Sequence, residues 1–213
     1  MITDELYQSY FDLLINGKKR ECATIVQDLL VGDVDIQTLY TDLFQKSLYE
    51  VGRLWEFNKI SVAKEHLVTA ISEGLLNLVY PKLFEKEGTL AEKSVVISCS
   101  SNEYHQIGGK MVADIFELNG WDSHFLGADT PVDHMLEYIQ DVKPDLVGLS
   151  LSVYFNMPSL KSGVEAVRSN FTNTDIFLGG QAFRWGGLDT IKQYRGIEYI
   201  PTLNELEKAI KTG

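Results

Sequence analysis

Apolar positions recur at helical spacing along the first two-fifths of the chain, and beyond it they gather into short runs set between amphipathic stretches. Up to about Phe84 the series is Leu6, Tyr10, Leu13 and Leu14; Cys22, Ile25, Val26, Leu29 and Leu30; Leu39, Leu43, Leu48, Val51 and Leu54; then Leu67, Ala70, Ile71, Leu75, Leu78 and Val79. Steps of three and four put each series on one face of a helix, and four such stripes predict a four-helix bundle. Gly17 and Gly32-Asp33 mark the first two turns and Asn58 to Ser61 the third, with Ser61 as N-cap of the fourth helix. Pro81 is expected to weaken that helix near its end.

From Glu85 to Lys93 the sequence turns charged and glycine-containing, which reads as a linker. Past it, strands are predicted near Val95, at Ser123 to Leu126, Leu146 to Leu149, Ile176 to Leu178 and Ile197 to Ile200. Helices starting near His105, Val132, Pro158, Gly187 and Leu203 separate them. This alternation predicts an α/β unit with a five-stranded parallel, doubly wound sheet in the flavodoxin-like order. The expected domains are therefore residues 1–86, a helical bundle, and 93–213, a Rossmann-like unit.

Composition narrows the function classes. A formal net charge of −11 opposes direct binding to a phosphate backbone, and no basic stripe with interleaved aromatics is present. No apolar run is long enough to cross a bilayer and the start, Met1 to Glu5, lacks the basic opening of a secretory signal, so a cytoplasmic protein is expected. Cys22 and Cys99 lie in apolar surroundings without metal-ligand spacing and read as reduced core residues. No dinucleotide fingerprint, paired hydrolytic carboxylates or Ser-His-Asp set is visible.

The candidate chemistry lies at the expected strand ends. The first strand, Ser94 to Cys99, runs into Glu103-Tyr104-His105-Gln106-Ile107-Gly108. A neutral imidazole in such a loop can ligate a metal, a carboxylate two residues before it can hold one tautomer, and Gly108 lets a bulky group approach. Ser150-Leu151-Ser152 and Gly179-Gly180 put small residues at two further strand ends, where a long ligand could lie. In the helical half, Trp55 closes the third helix and Glu65-His66 opens the fourth after nine intervening residues. On residues alone, His105 is also read as a solvated or capping histidine, and Trp55, Glu65 and His66 as ordinary bundle residues. His124 and His134 have no companion at ligand spacing and read as surface residues; Trp121 and Trp185 read as packing groups.

Taken together, the acidic residue, His and Gly at 103, 105 and 108, the serine-bearing strand end and the Gly-Gly pair resemble a known family. These are the cobalamin-binding domains of methionine synthase, corrinoid methyltransferase proteins, mutases and the adenosylcobalamin photoreceptors. The sequence departs from that pattern where Glu103 replaces the commoner Asp and Ser152 the commoner Leu. The resemblance implies that His105 displaces the cofactor's benzimidazole as the lower cobalt ligand. The tail would then thread past Gly108, Ser150, Ser152, Gly179 and Gly180 under Phe183, with Glu103 holding the imidazole. The Trp, nine residues, Glu-His spacing is similar to that of the photoreceptors. It implies an adenosyl pocket shaped by Trp55, with Glu65 on the ribose or adenine, and His66 as an upper cobalt ligand after photolysis.

The implied function is a light sensor in which photolysis of adenosylcobalamin changes oligomeric state or partner binding. Repressors of this family carry a basic winged-helix domain ahead of these two units. The sensor here is expected to act through a separate regulator protein, as a homo-oligomer in one light state and without catalysis. The alternative is a corrinoid protein that carries methyl groups, bound as methylcobalamin, between methyltransferases. A nucleotide- or flavin-binding doubly wound domain is the third reading.

Overall fold

The structure, a computed structural model, describes residues 1–32, 34–84, 92–191 and 194–212. Its contacts divide the chain into two compact units, Met1–Lys86 and Glu87–Gly213. Asp33 and most of the expected Glu85 to Lys93 linker lie outside the described residues.

The first unit is helical. Helix α1 (Asp4–Ile15) is capped by Thr3, whose hydroxyl accepts from the Leu6 amide, and α2 is Lys19–Val31. Gly17, at φ +71°, turns the chain between them. The third helical stretch starts as α3 (Ile36–Thr38), capped by Asp35, widens into a π-helical segment at Leu39–Gln45 and continues as α4 (Lys46–Glu56). The segment buries Leu39, Tyr40, Leu43 and Phe44, and Ser47 and Val51 continue the buried face. Periodicity predicted an ordinary α-helix here; the wider turn brings the adjacent pairs 39–40 and 43–44 inward together.

Helix α5 (Val62–Leu76) opens at Ser61, whose Oγ accepts from the Lys64 amide as expected of an N-cap. It ends before Pro81, and that residue instead sits in the first turn of a short helix, α6 (Tyr80–Leu83). Proline lacks an N–H and has a fixed φ, so it suits a helix start better than an interior. The core of the unit includes Tyr10, Leu14, Cys22, Val26, Ile71 and Leu75 on the stripes that the sequence shows, but α5 also buries Val68 and Leu76, and Leu67, expected on the buried face, is exposed.

The second unit contains a five-stranded parallel sheet in the order β2-β1-β3-β4-β5, with β1 Ser94–Cys99, β2 Asp122–Phe125, β3 Leu146–Ser150, β4 Asp175–Gly179 and β5 Ile197–Tyr199. Helices α7 (Ile107–Leu118), α8 (Val132–Val142), α9 (Met157–Asn170), α10 (Leu188–Ile191) and α11 (Leu203–Thr212) connect and follow the strands. Strand β1 has Val95, Val96, Ile97, Ser98 and Cys99 all buried, the near-continuous burial of a strand covered on both faces. Gly148 in β3 is required by packing: a Cβ there would lie 2.3 Å from the Phe177 ring. Among the described residues no helix is long and apolar enough to cross a membrane.

The strand order reverses between β1 and β3. In open α/β sheets the crevice outside the carboxyl ends at such a reversal is where ligands bind. The register Cys99 to Ser150 to Gly179 aligns three strand ends along that crevice.

Candidate functional site

The chain leaving β1 makes a tight, heavily tied loop. Asn102 takes φ +65°, a conformation that asparagine tolerates, and its amide donates to Asp129 Oδ1 at 2.7 Å. The Asp129 amide in turn donates to the Glu103 carbonyl at 2.9 Å, and Ser101 Oγ donates to the Thr130 carbonyl at 3.0 Å. Toward β3, the Ser100 amide donates to the Ser150 carbonyl at 3.1 Å, and Asn156 Nδ2 donates to the Asn102 carbonyl at 2.8 Å. The loop is thus fastened to the ends of β2 and β3 alike.

Glu103 lies at the centre of this loop with no solvent exposure. Its Oε1 accepts from the His105 amide at 3.0 Å and faces His105 Nδ1 at 2.6 Å. Its Oε2 accepts from the Ser152 and Val153 amides, each at 2.8 Å. Burial pushes this carboxyl's pKa up, but donation from the His105 ring and from the Val153, His105 and Ser152 amides outweighs it, and the net direction is below the ordinary glutamate value. An ionised carboxylate only accepts, so the Nδ1 that faces Glu103 carries a proton. The His105 side chain is 53 % exposed, so its ring reaches outward while its Nδ1 edge is held from below. That is the arrangement of a single imidazole ligand oriented by a carboxylate.

The surroundings leave room. A Cβ on Gly108, the second residue of α7, would meet nothing within 4 Å, whereas one on Gly109 would lie 2.9 Å from the Phe125 ring. Gly109 is therefore needed to seat α7 on the sheet, and the protein's own packing makes no such demand on Gly108. Gly180, at φ +108°, passes so close to Leu151 that a Cβ would lie 2.0 Å from its carbonyl oxygen. Ser150, Ser152, Gly179 and Gly180 thus share one edge with the Glu103–His105 pair, as their spacing suggests.

Phe183 departs from expectation. It is buried in the core of the second unit with its ring centroid 4.8 Å from that of Tyr199, so it packs under the strand ends and offers no exposed cover for a ligand. A short 3-10 turn, Gln181–Trp185, follows Gly180 and turns that ring inward while leaving Trp185 outside.

Ser100, Ser101, Ser159 and Gly163, which the sequence reading did not single out, join the crevice. A small cavity beside β1 and β3 is lined by Ser100, Ser101, Thr130, Ser159 and Gly163, with Cys99, Val132, Met135 and Leu149 as its apolar wall. The small residues at 159 and 163, one helical turn apart on α9, were the available signal. His124 is not drawn into the site: its Nδ1 is 2.9 Å from the Tyr138 hydroxyl and its Nε2 is 3.1 Å from Asp122. Among the described residues no group of three or more His, Cys, Asp or Glu side chains could hold a bare metal ion. One protein nitrogen therefore suits a metal whose other ligands arrive with it.

In the first unit, α4 ends in a corner where Asn58 adopts φ +54° and Lys59 donates to the Leu54 carbonyl at 2.8 Å. Trp55 is half exposed beside this corner. Glu65 Oε1 accepts from Thr69 Oγ1 at 2.9 Å and its Oε2 is 3.5 Å from His66 Nε2, with the His66 ring largely exposed.

Comparison with known proteins gives the site a lineage. Residues 93–201, half of the chain, match a family model described as B12 binding domain, and residues 6–80 match a second model of the same description. The chain belongs to the B12 binding domain family. This B12 binding protein is 24% identical to dimethylamine corrinoid protein 1 of Methanosarcina acetivorans over 184 residues, 84% of this chain and 85% of that one. The structure of monomethylamine corrinoid protein from Methanosarcina barkeri superposes with a TM-score of 0.83 at 15% identity, over 98% of this chain and 99% of that one, which shows a shared fold. The HTH-type transcriptional repressor CarA of Myxococcus xanthus is 34% identical over 93 residues, but these make up 43% of this chain and 31% of the repressor. The likeness to this repressor covers less than half of the chain, whereas the corrinoid proteins match most of it, and the photoreceptor resemblance expected from Trp55, Glu65 and His66 is not confirmed.

Proposed function

We propose that this B12 binding protein is a corrinoid carrier, holding cobalamin through His105 and passing a methyl group between methyltransferase partners without catalysing the transfer itself. The observation that carries the reading is the half-exposed His105 ring, held at Nδ1 by a buried carboxylate at the β1/β3 reversal. The choice of methyl cargo is supported by the relatives matched over most of the chain, named for methylated amines. When bound, the cofactor supplies a cobalt centre that accepts and releases a one-carbon group. The protein's part is binding and orientation: Glu103 fixes the imidazole tautomer, Gly108 leaves its side of the loop open, and the small residues at 150, 152, 179 and 180 leave room for the tail.

A second reading, a sensor of light through adenosylcobalamin, is favoured by the Trp55 to Glu65-His66 spacing. In it Trp55 and Glu65 contact the adenosyl group, His66 offers a second imidazole, and a separate regulator or a change of oligomer carries the signal. One experiment decides between them. The protein is loaded in darkness with methylcobalamin or adenosylcobalamin, and its visible spectrum and elution volume are recorded before and after green light and after addition of a methyltransferase fraction. Partner-dependent demethylation with an elution volume indifferent to light supports the carrier. A light-driven change of elution volume with adenosylcobalamin supports the sensor, and failure to retain either cofactor sinks both.

A further inference from the structure

Helix α4 ends at an open cleft of about 570 Å3 lined by Arg53, Leu54, Phe57 and Lys59. That volume falls within the range of small-ligand sites. The corner that forms it is fastened by its own backbone: the Phe57 amide donates to the Arg53 carbonyl at 3.1 Å, that of Asn58, at φ +54°, to Trp55 at 2.9 Å, and that of Lys59 to Leu54 at 2.8 Å. A left-handed residue closing a helix in this way occupies the carbonyls at its negative end, so neither basic side chain is needed to cap them.

The two cations of the lining differ in setting. Arg53 is clamped by Glu50, Nε to Oε2 at 2.9 Å and Nη2 to Oε1 at 2.6 Å, which fixes the guanidinium and leaves its other N–H groups to donate elsewhere. Lys59 has no ion-pair partner among the described residues. No carboxylate lines the cleft, although the chain carries 30 acidic residues against 19 basic ones. Beside these charges Phe57 is 62 % exposed, and with Leu54 it offers an apolar wall. An oriented guanidinium and a mobile ammonium suit a phosphate, and an open aromatic face suits a flat ring.

We infer that this corner of the first unit binds a small organic anion with a flat body, of the nucleotide class, with its phosphate on Lys59 and the outer edge of Arg53 and its base on Phe57. The site stands on the first unit alone and is independent of the carrier reading.

The test is a titration of 15N-labelled apoprotein with ADP, pyrophosphate and adenosine in turn at constant ionic strength, followed by amide NMR and calorimetry. ADP should saturate, shift the amides of residues 53–59 before those of the second unit, and bind more tightly than either fragment. Lys59→Ala should weaken ADP and pyrophosphate about tenfold and leave adenosine unchanged, whereas Phe57→Ala should weaken ADP and adenosine and spare pyrophosphate. Both side chains are exposed, so the urea midpoint of each variant should match that of the wild type. No saturation by about 10 mM ADP, shifts confined to the second unit, or wild-type ADP affinity in both variants overturns the site. Pyrophosphate binding as tightly as ADP removes the flat body and overturns the ligand class.

Discussion

Gly108→Ala separates what the polypeptide needs from what a ligand needs. Residue 108 lies in the first turn of α7, and a Cβ built there has no neighbour within 4 Å. Replacing glycine with alanine inside a helix stabilises by about 0.5–1 kcal/mol, because the unfolded chain loses freedom and the helix gains a better former. Apoprotein carrying Gly108→Ala should therefore be as stable as the wild type in urea or more stable by up to about that amount. The neighbouring Gly109→Ala is the control. Its Cβ would lie 2.9 Å from Phe125 Cε2 and 3.6 Å from Cys99 Sγ, an overpacking that costs about 1–3 kcal/mol. If a corrin approaches the backbone at 108, the same added methyl that is harmless in the apoprotein collides with the ligand. Cobalamin affinity should then fall at least about tenfold, about 1.4 kcal/mol. Spectrophotometric titration with cobalamin beside urea denaturation reads both numbers. A stable Gly108→Ala protein with wild-type affinity would falsify the placement of the cofactor against α7, and a destabilised apoprotein would refute the open space itself.

Three further outcomes follow from particular contacts. Gly180→Ala combines a φ of +108° with a Cβ 2.0 Å from a backbone oxygen, so it should lose on the order of 3 kcal/mol in urea denaturation, and a loss under about 1 kcal/mol would contradict the geometry. Burial pushes Cys99 up to about 12, helped by the negative charge of Glu103, and burial with Glu21 pushes Cys22 up to about 11. At pH 8 a thiol reagent should therefore find neither cysteine in native protein and both after denaturation; a fast-reacting native thiol counts against this burial. The Glu103 carboxyl sits below its ordinary value when folded, so its stabilisation is fully present above the ordinary glutamate pKa and is lost as pH falls through the lowered one. The stability difference between wild type and Glu103→Gln should shrink in that acid window, and a difference that grows on acidification would show the sign to be wrong.

Much of this was legible in the chain because it is a matter of period and spacing. The switch from steps of three and four to short β-branched runs gives a bundle followed by alternating strands and helices, since only those periods bury one face of a helix or both faces of a parallel strand. Ser61 was readable as an N-cap, and Glu103, His105, Ser150 and Gly179 as residues of one edge, because parallel strands deliver their carboxyl ends to the same side. What sequence could not provide was whatever depends on neighbours far along the chain. Phe183 reads as a cover and folds as core, because the turn after Gly180 decides its direction. Gly108 and Gly109 are identical letters, yet only Gly109 is crowded, by a ring from β2. The seat of Glu103 on the Ser152 and Val153 amides is formed by backbone donors some fifty residues away, and backbone groups carry no sequence signature. Pattern along the chain fixes which face is buried; only folding brings a particular carboxylate to a particular pair of amides.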